Sequence, residues 1–155
     1  MVVILMSYNP NFVGSQSLGS SIAMVSDYTN GTGTAIPQGV AVSKTGVGDQ
    51  IAPTDPTNDV SVHAFVGFAQ FRIPAATLGP VISGGRLENL TGYSFAIGDS
   101  IWVGLGGVIQ NVRPDYGITG FTAGDFVIFA GVVVQNVKNA LNQDLQVMPQ
   151  LIGEL

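Results

Sequence analysis

Apolar and polar residues alternate most regularly between Val60 and Phe68. There Val60, Val62, Ala64, Val66 and Phe68 are interleaved with Ser61, His63, Phe65 and Gly67. A two-residue period is that of a strand with one buried face, so this stretch is predicted to be a strand closed by Pro74. Shorter apolar runs predict strands at Val40–Val42, Val81-Ile82 (followed by Gly84-Gly85), Ser100–Val103, Val108–Val112, Phe126–Val134 and Asp144–Met148. Gly46 to Asn58 is rich in Gly, Pro, Asp and Thr and reads as a loop. The chain has 20 Val and 12 Ile against 10 Leu, 2 Glu and 2 Lys, and its 21 Gly and 8 Pro interrupt any long helix. Branched side chains suit a pleated surface. The expected fold is all-β: a small barrel or sandwich of short strands and Gly-rich turns.

An internal echo supports this. Phe95-Ala96-Ile97-Gly98-Asp99-Ser100-Ile101 matches Phe121-Thr122-Ala123-Gly124-Asp125-Phe126-Val127, and Val108-Ile109-Gln110-Asn111-Val112 matches Val133-Val134-Gln135-Asn136-Val137. Each unit reads as Phe, a turn, a strand, a break and a second strand. In the turns, Gly98 and Gly124 supply the conformation, and Asp99 and Asp125 bond back to nearby backbone amides.

Ahead of the predicted β domain (35–155) lies a segment of different character (1–34). No charge occurs before Asp27, and 14 of the 24 residues from Asn11 to Thr34 are Gly, Ser, Thr or Asn. A flexible terminus would look like this. Val13, Leu18, Ile22, Met24 and Val25 would serve no purpose in a solvated tail, which favours an extended N-terminal arm ordered by a neighbouring subunit.

Charged residues make up 10% of the chain, against about 25% in ordinary domains. The five basic residues, Lys44, Arg72, Arg86, Arg113 and Lys138, stand singly. Nucleic-acid binding needs clustered cations, so no nucleic-acid partner is expected. No apolar run approaches the roughly 20 residues of a spanning helix, and no membrane partner is expected. With no cysteine, thiolate chemistry and Cys-ligated zinc are excluded.

Catalytic constellations are hard to assemble. His63 is the only histidine, and Ser61 beside it lacks a nucleophile elbow. Asp99 and Asp125 are explained by their turns better than as paired acids. Asp55-Pro56-Thr57-Asn58-Asp59 offers oxygen donors but no EF-hand spacing, so an Asx-rich turn is expected. Gly104-Leu105-Gly106-Gly107 lacks the Gly-Lys-Ser/Thr of a phosphate loop and reads as a hairpin turn. Asn30-Gly31-Thr32 and Asn89-Leu90-Thr91 fit the glycosylation triplet, which also arises by chance. No catalytic, metal or cofactor site is expected. Trp102 is a core residue by default. If the Val103 side of its strand is the core, Trp102 faces outward as an interface candidate.

Ile36-Pro37-Gln38-Gly39-Val40-Ala41-Val42, Val66-Gly67-Phe68-Ala69, Phe95–Val103 and Phe121–Val127 together form repeated strand-turn units with Gly-Asp before an apolar strand. Over roughly Ala35 to Val137 the chain resembles the capsid decoration, or cement, proteins of tailed bacteriophages. The resemblance implies a non-enzymatic virion protein on the capsid surface, often a homotrimer, that clamps neighbouring major capsid proteins. Low charge is consistent with burial against other chains. Val13, Leu18, Ile22, Met24 and Trp102 are the candidate interface residues. A tail, baseplate or head-fibre protein that binds a receptor or glycan is the alternative, and an enzyme with a site between subunits is the least favoured reading.

Overall fold

A computed structural model describes residues 23–155. The fold is all-β. Among the described residues the strands are β1 (Met24–Asn30), β2 (Ala41–Lys44), β3 (Gln50–Pro53), β4 (Phe65–Ala69), β5 (Leu78–Leu90), β6 (Ser100–Val103), β7 (Ile109–Gln110), β8 (Phe126–Gln135) and β9 (Gln143–Glu154), with a short α-helix, α1 (Asp59–His63), and a 3-10 turn at Leu105–Gly107. The strand order is β1-β3-β2-β4-β5-β9-β8-β6-β7, and a further β1–β5 pairing closes the first five strands into a small barrel. Of the two architectures left open by the sequence, the barrel is the one formed.

The strands at the centre are buried on both faces. Val42, Ala69 and Val81 point into the barrel with Ile36, Ile51 and Ile73. Their chain neighbours Ala41, Phe68 and Ile82 point the other way and pack with Ile101, Ile128, Val133 and Leu145. Double burial explains why these strands read as continuous apolar runs.

Four turns share one hydrogen-bond scheme, and each leads into a strand: Pro37–Val40, Pro74–Thr77, Ala96–Asp99 and Thr122–Asp125. In each, the fourth residue's N–H donates to the first residue's carbonyl, at 3.4, 3.3, 3.0 and 3.2 Å. The third residue has φ of +84° (Gly39), +58° (Ala76), +93° (Gly98) and +91° (Gly124), as a type II turn requires. The third residue's N–H also donates to the carbonyl of a residue in, or just past the end of, another strand: Ala69, Asn30, Val133 and Leu155, respectively. That residue donates back to the fourth turn residue. The sequence echo exposed two of these four turns. The rest of the echo does not hold, because Phe126–Gln135 is one unbroken strand while β6 and β7 form a hairpin.

A second, larger duplication is visible only in the pairing. Sheet order β3-β2-β4-β5 is mirrored by β7-β6-β8-β9. Ala41, Val42 and Ser43 pair with Phe68, Gly67 and Phe65 across a bulge; Ser100, Ile101 and Trp102 pair with Val132, Gly131 and Phe129 across the same bulge. Phe68↔Ile82 and Ala69↔Val81 are repeated as Val132↔Gln146 and Val133↔Leu145. The barrel-lining Val42, Ile51, Ala69 and Val81 correspond to Ile101, Ile109, Val133 and Leu145, all 0–3% exposed. By the same correspondence β1 matches the C-terminal half of β5. Ser26, which pairs with Val81, matches Leu87, which pairs with Leu145, and Tyr28, which pairs with Gly79, matches Leu90, which pairs with Gln143.

Several expectations are corrected. The Val60–Phe68 strand is a helix followed by a strand. Asn58 caps α1 by accepting the Ser61 N–H, at 3.1 Å, and the chain turns at Ala64 before β4 begins. Val62 is buried and Val60 is 76% exposed, so alternation there came from a single helical turn. The loop from Gly46 to Asn58 contains β3, whose Ile51 is fully buried. Gly84-Gly85 lies inside β5 rather than after it, and the glycine lets the Met24 side chain lie against the strand. The Val108–Val112 strand shrinks to β7, and Asp144–Met148 extends as β9 to Glu154, with Pro149 at a register shift.

The β domain starts before Ala35. Residues of β1 pair with β5 from Met24↔Gly84 to Thr29↔Leu78, and Asn30 is fully buried. The Asn30 amide donates to the carbonyls of Thr34, Ile73 and Pro74. This polar stretch is a barrel strand because its backbone pairs with β5 and the buried Asn30 amide finds carbonyl partners.

Candidate functional site

The residues considered for catalysis have local structural roles. His63 ends α1 and is exposed, its Nδ1 3.0 Å from the Asp59 carbonyl oxygen and 3.1 Å from the Asp59 carboxylate. Ser61 Oγ accepts the Asp55 N–H. Asp55 accepts from the Thr57 N–H and hydroxyl, the Asx-type turn expected there. Gly104–Gly107 links β6 to β7 as a hairpin connection. Among the described residues no group of three His, Cys, Asp or Glu side chains could hold a metal ion. No helix among them is long and apolar enough to cross a membrane.

The Gly-Asp pairs act as the sequence suggested. Asp99 Oδ2 accepts the Ala96 N–H at 2.9 Å, and Asp125 Oδ2 accepts the Thr122 N–H at 2.7 Å. Each carboxylate ties down the first residue of its own turn. The Ala96 bond, followed by one from the Asn111 amide, holds the Asp99 carboxyl below its ordinary range.

Ile101 and Val103 are fully buried, so the Val103 side of β6 is the core and Trp102 faces outward. There the indole meets the Phe129 ring edge-on with centroids 5.2 Å apart, and the Arg113 guanidinium sits 5.7 Å from its centroid. Trp102 is partly buried by these neighbours. Met24 is 59% exposed at the start of β1. Val13, Leu18 and Ile22 lie outside the described residues.

The structure also forms a groove of about 850 Å³ that the sequence did not reveal. Its walls include Ala23, Pro37, Gln38, Phe71, Glu88, Tyr93 and Val108. Gln38 spans it: the amide donates to the carbonyls of Gln70 and Glu88, and its oxygen accepts the Thr91 N–H and hydroxyl. The Tyr93 hydroxyl donates to the Gln38 carbonyl at 3.1 Å. Tyr93 stacks on Phe95, and burial raises its phenol pKa. Behind one wall, buried Asp144 accepts from Arg86, the Asn89 N–H and the Asn136 amide. Asn89 and Thr91, of the second glycosylation-like triplet, are among the residues lining the groove.

The groove marks where the duplication is incomplete. In the first copy β1 pairs in parallel with β3 through Thr29↔Gln50 and Asn30↔Ile51. Counted on from Tyr28 and Leu90, the corresponding residues in the second copy are Thr91, Gly92, Val108 and Ile109. No strand pairing joins them among the described residues, and Thr91, Gly92 and Val108 line the groove instead.

The structure thus holds an aromatic–Arg cluster around Trp102 and a groove lined by Gln38, Phe71 and Tyr93. Comparison of the chain with protein-family models, curated proteins and solved structures returned no match.

Proposed function

We propose that this chain is a non-enzymatic structural virion protein: a capsid decoration protein that binds the outer surface of a major capsid lattice and self-associates, as a homotrimer in the reading implied by the resemblance. The observation that supports this reading is the character of the surface. Only 10% of residues are charged, while Phe71, Ile97, Tyr116, Ile118 and Leu141 are each more than 50% exposed, as are several valines. A free surface normally carries about 25–35% ionic residues. The cores of protein interfaces are depleted of charge and enriched in aromatics and Arg, the composition of the Trp102, Phe129 and Arg113 cluster. A cement protein holds a lattice by covering such surfaces between neighbours and requires no chemistry.

The test is the composition of purified particles. A decoration protein is present in hundreds of copies per head and is lost from heads when Trp102→Ser weakens its contact. A count in the tens indicates a tail or fibre component, and absence from the particle overturns the proposal.

A further inference from the structure

The open seam between the end of β5 and β7 has the geometry of a strand acceptor. Its counterpart in the first copy is zipped by the parallel β1–β3 pairing. In the second copy the two edges stand apart across the groove. The Gln38 side chain satisfies backbone groups on one of them, taking the Glu88 carbonyl and the Thr91 N–H. An amide side chain here stands in for a peptide group. An extended segment presents the same donors and acceptors in series, and an added strand gains affinity from main-chain bonds without needing charge.

The walls specify what kind of segment fits. Phe71 and Val108 are 59% and 50% exposed and offer apolar surface. Pro37 and Tyr93 extend it along the groove. The groove volume of about 850 Å³ falls within the roughly 300–1,000 Å³ of pockets that enclose a small ligand or short segment. The chain itself supplies such a segment. Residues 1–22 carry no charge and contain Met1-Val2-Val3-Ile4-Leu5-Met6 and Ile22. They connect directly to Ala23, which lines the groove. At about 3.3 Å per extended residue, even Met6 is within reach of the seam.

We propose that the seam between β5 and β7 is a strand-binding groove whose occupant is the same chain's residues 1–22. Tethering at Ala23 gives this segment a high effective concentration, so occupancy does not depend on protein concentration. This inference stands on the groove and its tether, and is independent of the capsid reading.

Limited chymotryptic digestion of the full chain tests it, with cleavage at Tyr8 and Phe12 followed by intact mass. In the wild type these sites are protected. Phe71→Asp with Val108→Asp places two carboxylates on the groove wall and raises the cleavage rate about tenfold or more, because cleavage follows the released population. Thr91→Trp fills the groove without charge and has the same effect, so the test survives if one variant misfolds. Circular dichroism melts confirm that the variants compared are folded. Equal cleavage rates in wild type and folded variants overturn the proposal. Wild-type protection that persists on hundredfold dilution supports it, whereas protection lost on dilution means that a second copy supplies the segment and overturns the assignment to the same chain.

Discussion

Gly131→Ala probes the bulge on which both halves of the fold depend. Gly131 sits in β8 at φ +152°, and a Cβ there would lie 2.0 Å from the Gln146 carbonyl oxygen of β9. Gly67 occupies the equivalent place in β4 at φ +146°, with a Cβ position 2.4 Å from the Ile82 carbonyl oxygen. Relieving either contact requires the strands to separate by about 1 Å, which weakens ladder bonds that need donor–acceptor distances near 2.9 Å. Backbone strain of roughly 1–3 kcal/mol and overpacking of roughly 1–3 kcal/mol place the expected loss at about 3–5 kcal/mol. For a chain of this length that lowers the melting temperature by about 10 °C or more. Gly124→Ala is the control: its φ is +91°, but a Cβ meets nothing within 4 Å. It should cost only the left-handed penalty, roughly 1–2 kcal/mol. Thermal and urea unfolding of Gly131→Ala, Gly67→Ala and Gly124→Ala measure the difference. The reasoning fails if Gly131→Ala falls within about 1 kcal/mol of the control, a spread ordinary for surface changes.

Two further outcomes are expected. Bonds from the Ala96 backbone and the Asn111 amide lower the Asp99 pKa in the folded chain. Its contribution is therefore present above the unfolded pKa and is lost as pH falls through the folded value. Melts at neutral pH and below about pH 4 should show a larger acid-induced loss for wild type than for Asp99→Asn; equal losses would remove Asp99 from the acid response. Asp144→Ala removes the carboxylate 3.1 Å from the Arg86 guanidinium, which keeps the Gln135 carbonyl, and takes an acceptor from the Asn89 N–H and the Asn136 amide. A buried donor left unsatisfied costs roughly 1–3 kcal/mol, and urea unfolding should show a smaller loss for Asp144→Asn, which keeps the acceptor for the Asn89 N–H.

Turn chemistry was legible because it is local. Gly98-Asp99 and Gly124-Asp125 specify their turns with a backbone conformation and a carboxylate that bonds three residues back, and no distant contact is needed. The same turn at Pro74–Thr77 was not legible, because Ala76 takes the left-handed position with no glycine to announce it. Trp102 could be placed only conditionally. Alternation fixed that it opposes Ile101 and Val103, and the packing of those two against the barrel decided which side was solvent.

Composition and turn residues alone determined an all-β chain with a poorly charged surface, since branched side chains and frequent glycines leave few other options. Tertiary structure decided the rest. Val60–Phe68 has the period of a strand, yet capping by Asn58 gives its first half to a helix. Met24–Asn30 has the composition of a loop, yet pairing with β5 makes it the strand that closes the barrel. The halves of the duplication share hydrogen-bond register rather than residue identity, because a ladder constrains backbone positions and leaves most side chains free. The groove arises where that ladder is incomplete in the second copy, a property of how two distant edges meet.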